Sequence, residues 1–103
     1  MKKILLVCCA GMSTSLLVSK MQAAADAKGI ECSIKATGEA EVKEFIDDTD
    51  ILLLGPQVRF LLSKFQKSLA GTNIPVEVVN TLHYGTMDGE KVLERALELI
   101  ANK

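Results

Sequence analysis

Two adjacent thiols, Cys8 and Cys9, stand between an apolar run, Ile4-Leu5-Leu6-Val7, and a stretch of small and hydroxylated residues, Ala10-Gly11-Met12-Ser13-Thr14-Ser15. The run predicts a buried strand, and Leu16 to Lys28 predicts an amphipathic helix. A loop that closes on a helix N-terminus turns backbone N–H groups inward, which makes a cradle for a tetrahedral anion. A thiol at the edge of that cradle is expected to ionise readily, because the N–H groups and the helix dipole favour the thiolate. Thiolate plus cradle points to phosphoryl transfer through a covalent phosphocysteine. Cys8 is the preferred nucleophile, because a thiol at the strand tip can sit at the cradle's centre. The next side chain, Cys9, tends to point out of it. The cradle is assigned to Cys9, Ala10, Gly11, Met12, Ser13, Thr14 and Ser15. Gly11 permits close backbone approach, and the hydroxyls of Ser13, Thr14 and Ser15 can donate to phosphate oxygens or cap the helix.

Other reactive side chains are weaker candidates. Cys32 falls on an expected edge strand, with no loop or base beside it, and reads as a small buried hydrophobe. His83, the one histidine, falls in a stretch after the last strand; a relay role is conceivable, but a loop residue without one is the plainer reading. Tyr84 and Asp88 could line the same rim. Met12, Gln57, Phe60, His83 and Tyr84 are the candidates for a partner-docking surface there. Phe60 stands out because it falls off the apolar stripe of its helix. No metal-ligand spacing is present, and neither a Walker A sequence nor a dinucleotide glycine pattern follows a central strand, so no metal or cofactor is expected.

The elements that must position these residues alternate between apolar runs and helical patterns, the pattern of a parallel sheet in an α/β domain. Strand one, Lys3 to Val7 or Cys8, is apolar on both faces and central. A helix from about Ser15 to Lys28 follows, with Leu17, Met21 and Ala24 as its core stripe and Gly29 as its stop. Glu31 to Ala36 alternates as an edge strand. A short helix is expected over Glu39 to Asp47, with Val42, Phe45 and Ile46 inward. Ile51 to Leu54 is a second doubly buried strand. A helix from Gly55-Pro56-Gln57 to about Ala70 carries Val58, Leu61, Leu62, Phe65 and Leu69 inward. Pro75 opens an edge strand, Val76 to Val79. Asn80 to Met87 reads as a loop, and Asp88 caps a last helix, Gly89 to about Ala101.

Two central and two edge strands give the order 2-1-3-4. Right-handed crossovers then put the first and last helices on one face and the other two on the opposite face. The order reverses between strands one and three, and ligands of open parallel sheets bind at the carboxyl ends of the strands at such a point. The Cys8 loop and Gly55-Pro56-Gln57 both lie there, so motif chemistry and strand order mark the same place.

The bulk numbers agree with a single three-layer domain over residues 1–103. Hydrophobic residues make up 49% of the chain and aromatics only 4%, so the core must be mainly Leu, Ile, Val and Ala. Twelve basic and thirteen acidic residues leave no basic excess, which argues against a nucleic-acid partner. The opening apolar run is too short for a membrane span, and the chain is expected to be cytoplasmic and monomeric on its own. Three cysteines, two of them adjacent, make a poor disulfide framework and are expected to be free thiols.

The stretch Val7-Cys8-Cys9-Ala10-Gly11-Met12-Ser13-Thr14-Ser15-Leu16-Leu17-Val18 resembles the IIB component of the bacterial sugar phosphotransferase system, in its lactose, cellobiose and diacetylchitobiose branch. Leu53-Leu54-Gly55-Pro56-Gln57, Val76-Glu77-Val78 and Tyr84-Gly85 look like the same family, so the resemblance covers essentially the whole chain. It implies a four-stranded parallel sheet flanked by helices. It also implies a cysteine, matching Cys8, that is phosphorylated by a phosphohistidine of the IIA component. The phosphoryl group then passes to a sugar entering through the membrane component IIC, which the carrier visits transiently. The expected sugar is a β-glucoside disaccharide such as cellobiose or chitobiose. Two other classes use related features. A low-molecular-weight tyrosine phosphatase or arsenate reductase has a similar cysteine loop, but the phosphatase pattern Cys-x5-Arg finds Thr14 where the arginine belongs. A non-enzymatic regulatory domain could share the fold.

Overall fold

The computed structural model describes residues 1–8 and 12–102. Lys2–Val7 forms β1, with Ile4 and Leu6 directed to one face of the sheet and Leu5 and Val7 to the other. Ile51–Leu54 forms β3 and alternates in register, Ile4 beside Ile51 and Val7 beside Leu54. Both strands are buried on both faces, which is why neither carries a polar residue beyond the first two lysines. Cys32–Thr37 forms β2 and Val76–Val78 forms β4, the edges. Among the described residues the strands make one four-stranded parallel sheet in the order β2-β1-β3-β4, as expected.

The helices divide between the two faces as the crossover rule requires. Met12–Ala27 (α1) and Gly89–Ala101 (α5) bury Leu17, Met21, Ala25, Val92, Leu93 and Ala96 against Ile4, Leu6, Ile51 and Leu53. Val42–Phe45 (α2) and Leu62–Ser68 (α3) lie on the other face, where Val42, Val58, Leu61 and Phe65 meet Leu5, Val7, Leu52 and Leu54. Gly29, at φ +69°, ends α1, and the Ile30 N–H reaches back to the Ala25 carbonyl at 2.9 Å. Asp88 caps α5 by accepting from the Lys91 N–H at 3.1 Å.

Four local expectations are corrected. The first helix begins at Met12, three residues before Ser15, so Thr14 lies inside its first turn and its hydroxyl bonds elsewhere in the fold. The segment expected as one helix over Glu39 to Asp47 is a 3₁₀ turn, Glu39–Glu41, then α2, then a second 3₁₀ turn, Ile46–Asp48. Only Val42 is fully buried there, with Phe45 and Ile46 half-buried, too few anchors to hold a regular helix against five acidic residues. The helix after Gly55 starts as 3₁₀, Pro56–Leu61, and is kinked at Val58 (φ −117°, ψ 25°), which lets Val58 turn into the core. The stretch read as a loop contains a short helix, Thr81–Gly85 (α4). Its cap is Asn80, whose Oδ1 accepts from the N–H groups of Leu82 at 2.9 Å and His83 at 3.1 Å.

Candidate functional site

Cys8 is the first residue past β1, and its N–H continues the ladder to the Thr37 carbonyl at 3.1 Å. The strand therefore carries the thiol to the carboxyl edge of the sheet between its neighbours β2 and β3. On the β3 side the Gly55 N–H donates to the Val7 carbonyl at 2.8 Å, so the two chain ends at the switch point are tied together. Cys8 is only 7% exposed. Helix α1 begins a few residues later, and its first turn holds no acidic residue that would oppose an anion.

The thiol has neighbours from distant parts of the chain. The Tyr84 hydroxyl lies 3.8 Å from Cys8 Sγ and 3.3 Å from Thr14 Oγ1. A strand end, the first turn of α1 and α4 thus converge on one buried polar cluster, with Thr14 and Tyr84 both excluded from water. The Tyr84 ring stands over Gly55: a Cβ at that glycine would be 3.7 Å from the ring and 3.5 Å from the Val7 carbonyl oxygen. The sequence makes Tyr84 a docking candidate at the carboxyl-end rim. The ring is buried, at 5% exposure, because α4 turns it inward over Gly55. The signal for α4 is present in Asn80 as a cap; the contacts themselves span 70 and 76 residues and leave no periodicity in the sequence.

His83, one position before Tyr84 on the same helix, points a different way. It lines a groove of about 570 Å³ along β4, together with Val76, Val78, Asn80 and Arg95. Gln57 and Phe60 lie on the 3₁₀ segment after β3, both exposed, Phe60 at 75%. Leu16 and Leu82 were missed by sequence reasoning and are also exposed. Leu16 sits beside the core stripe of α1 rather than on it, and Leu82 was hidden in the supposed loop. Of the four large exposed apolar residues among those described, Leu16, Phe60 and Leu82 lie on elements that start from the carboxyl end of the sheet. Cys9, Ala10 and Gly11, and the side chains of Met12 and Ser13, lie outside the described residues. Ser15 is exposed on α1.

Cys32 occupies the opposite end of the sheet, where β2 begins beside Lys2. Burial pushes its thiol up from the ordinary cysteine value, against the smaller pull of Lys2 and the N-terminal amine. Asp88 spends its carboxylate on capping α5. Among the described residues no helix is long and apolar enough to cross a membrane.

Comparison with known proteins agrees with this geometry. The sequence model of the family described as "PTS system, Lactose/Cellobiose specific IIB subunit" matches residues 3–95. The chain is 48% identical to an oligo-beta-mannoside-specific EIIB component of Bacillus subtilis (strain 168), over the whole length of both. It superposes on the solution structure of a cellobiose-specific phosphotransferase IIB component from Borrelia burgdorferi with a TM-score of 0.83 and 44% identity, covering 99% of this chain and 94% of that one. A lactose-specific IIB domain from Streptococcus pneumoniae shares the fold, with a TM-score of 0.84 at 17% identity over 94% of this chain and 95% of that one.

Proposed function

The chain belongs to the lactose/cellobiose-specific IIB family of the sugar phosphotransferase system, and on that premise we propose that it is a phosphocysteine carrier with Cys8 as its phosphoryl acceptor. The observation that carries this reading is the placement of the Cys8 thiol at the tip of a central strand, at the sheet's switch point, with helix α1 starting just beyond it. The thiolate attacks the phosphohistidine of a IIA component. Backbone N–H groups from Cys9 to Ser15 receive the phosphoryl oxygens, as anion cradles at helix N-termini do. The group then moves to a sugar presented by a membrane IIC component. The sugar class is a β-linked disaccharide of the cellobiose or chitobiose type, in keeping with the names of the relatives. The carrier works in the cytoplasm as a monomer and meets the membrane only through IIC.

The docking face is the carboxyl-end rim, where Met12, Gln57, Phe60, His83 and Tyr84 were expected and where Leu16 and Leu82 add apolar surface. A phosphatase reading has less support. The Thr14 hydroxyl, at the position of the phosphatase arginine, is buried at 2% exposure against Tyr84. The test is incubation with phosphoenolpyruvate and the upstream phosphotransferase proteins, followed by mass spectrometry. Phosphate is expected on Cys8, and its loss is expected in Cys8→Ser but not in Cys9→Ser. Phosphate retained on a thiol in Cys8→Ser, with sugar phosphorylation intact, would overturn the assignment.

A further inference from the structure

We propose that the Tyr84 hydroxyl is a positioning donor to the Cys8 thiolate, held in that orientation by the Thr14 hydroxyl. The proposal rests on the reading of Cys8 as the phosphoryl acceptor and adds a residue from a remote helix to its machinery. A tyrosine hydroxyl carries one proton and can also accept. Its oxygen lies 3.8 Å from Cys8 Sγ and 3.3 Å from Thr14 Oγ1. When the sulfur is a thiolate it can only accept, so the tyrosine proton points at sulfur. The Thr14 proton is then the one that fills the tyrosine oxygen. Both hydroxyls are buried, Thr14 at 2% and Tyr84 at 5%, so they bond to each other and to sulfur rather than to bulk water. The tyrosine ring has little freedom to leave: it stands over Gly55, and the helix that bears it is capped by Asn80.

A hydrogen bond to an ionised partner is stronger than one between neutral groups. The Tyr84 donor therefore favours the thiolate over both the thiol and the phosphorylated sulfur. In acceptance, the thiol proton has already gone to solvent. The sulfur pair forms the S–P bond, the N–P bond of the donor phosphohistidine breaks, and its pair stays on the imidazole nitrogen. In donation, the sugar hydroxyl oxygen forms the O–P bond and loses its proton to a base on the acceptor side. The S–P bond breaks and its pair returns to sulfur. Tyr84 keeps its proton in both steps. Because it stabilises the charge that returns to sulfur, it makes Cys8 a better leaving group, which a carrier needs as much as a good nucleophile.

The test uses the full chain and two readouts. The first is the pH dependence of iodoacetamide alkylation at Cys8, separated from Cys9 by fragmentation mass spectrometry. The second is the single-turnover rate from phosphorylated protein to a sugar–IIC complex. Tyr84→Phe keeps the ring over Gly55 and removes only the hydroxyl. It is expected to move the alkylation midpoint up by about one pH unit and slow donation roughly tenfold. Thr14→Val should shift both in the same direction by less, Thr14→Ser should restore them, and Tyr84→Phe combined with Thr14→Val should be no worse than Tyr84→Phe alone. Circular dichroism checks folding. If Tyr84→Phe fails to fold, the Thr14→Val and Thr14→Ser pair decides. An alkylation midpoint and donation rate within twofold of wild type in a folded Tyr84→Phe would overturn the proposal, as would additive effects in the double variant. If wild type takes no phosphate on Cys8, the carrier reading fails and the transfer role of Tyr84 fails with it. The alkylation profile still decides the contact between Tyr84 and the thiolate.

Discussion

Gly89, the first residue of α5, lies directly on the backbone of α1 at Met21. A Cβ built on Gly89 would stand 2.6 Å from the Met21 nitrogen and 2.5 Å from the carbonyl carbon of Lys20. Contacts that short with backbone cannot be relieved by a rotamer change, so any side chain here must push the two helices apart. Met21 and Leu93, both wholly buried, fill the seam between them. Because α1 also begins at the thiol's loop, this crossing fixes where the site stands relative to the sheet.

Gly89→Ala is therefore expected to destabilise the protein by about 2 kcal/mol, the usual cost of overpacking a well-filled contact. For a domain of this size that lowers the melting temperature by roughly 10 °C. Thermal and urea unfolding followed by circular dichroism would measure it. A melting temperature within a degree or two of wild type would mean that the helices are free to slide. Gly85→Ala, at a position with open space around a built Cβ, is the control.

The Cys32 thiol should ionise later in the folded protein than in the unfolded chain. Burial raises the Cys32 thiol above its unfolded value. A group that holds its proton more tightly when folded contributes stability below the unfolded pKa, and that contribution is lost as pH rises through the folded pKa. Wild type should therefore lose stability faster than Cys32→Ala as pH rises past the ordinary cysteine value, because the variant's curve lacks this component. Urea midpoints across that rise provide the comparison, and parallel curves would contradict it. Alkylation at pH 8 should likewise be slow at Cys32.

The exposed apolar residues at the carboxyl-end rim invite a separate test. Phe60 at 75% and Leu82 at 68% exposure contribute little to the core. Phe60→Glu and Leu82→Glu should leave the melting temperature almost unchanged. Each should raise the concentration of phosphorylated IIA needed for half-maximal transfer by about tenfold, as expected when an apolar anchor is lost from an interface. Chemical-shift mapping with IIA should show perturbations at Leu16, Phe60 and Leu82. Perturbation confined to the amino ends of the strands, around Met1 and Cys32, would refute this docking face.

The sequence made the scaffold legible to the extent that local rules govern it. Ile51 to Leu54 is apolar at every position, and only a doubly buried strand makes use of that, so the strand order followed. Asp88 was legible because a capping carboxylate acts within three residues. The short helix α4 shows the limit of reading composition alone, since asparagine is common in loops and yet the Asn80 side chain starts this helix. The site was half legible. Cys8 announces itself through the loop that follows it. The cluster of Cys8, Thr14 and Tyr84 is a tertiary event: its sequence separations of 70 and 76 residues are bridged by sheet and helices, and no local pattern encodes them.

A phosphatase meets the charge on a phosphoryl group in flight with a guanidinium fork, and it needs a carboxyl group to protonate the leaving alcohol and activate water. Here Thr14 takes the arginine's place, and its hydroxyl faces Tyr84 inside the fold. Arg95 is engaged at β4: its Nε and Nη2 both reach Glu77 at 2.8 Å, and Glu77 and Glu98 together raise its pKa above the ordinary arginine value. Asp88 accepts from the Lys91 N–H as a helix cap. Phosphocysteine in this site should therefore wait for an acceptor instead of reacting with water, and the missing cation or base is left to the partner that docks. Purified protein is expected to turn over p-nitrophenyl phosphate at a rate indistinguishable from Cys8→Ser. Phosphorylated protein should lose its phosphate at least a hundredfold more slowly alone than in the presence of the sugar–IIC complex. Thr14→Arg should not create a phosphatase, because no carboxyl group is supplied with it. Efficient, Cys8-dependent turnover of the aryl phosphate by the wild-type domain would restore the phosphatase reading.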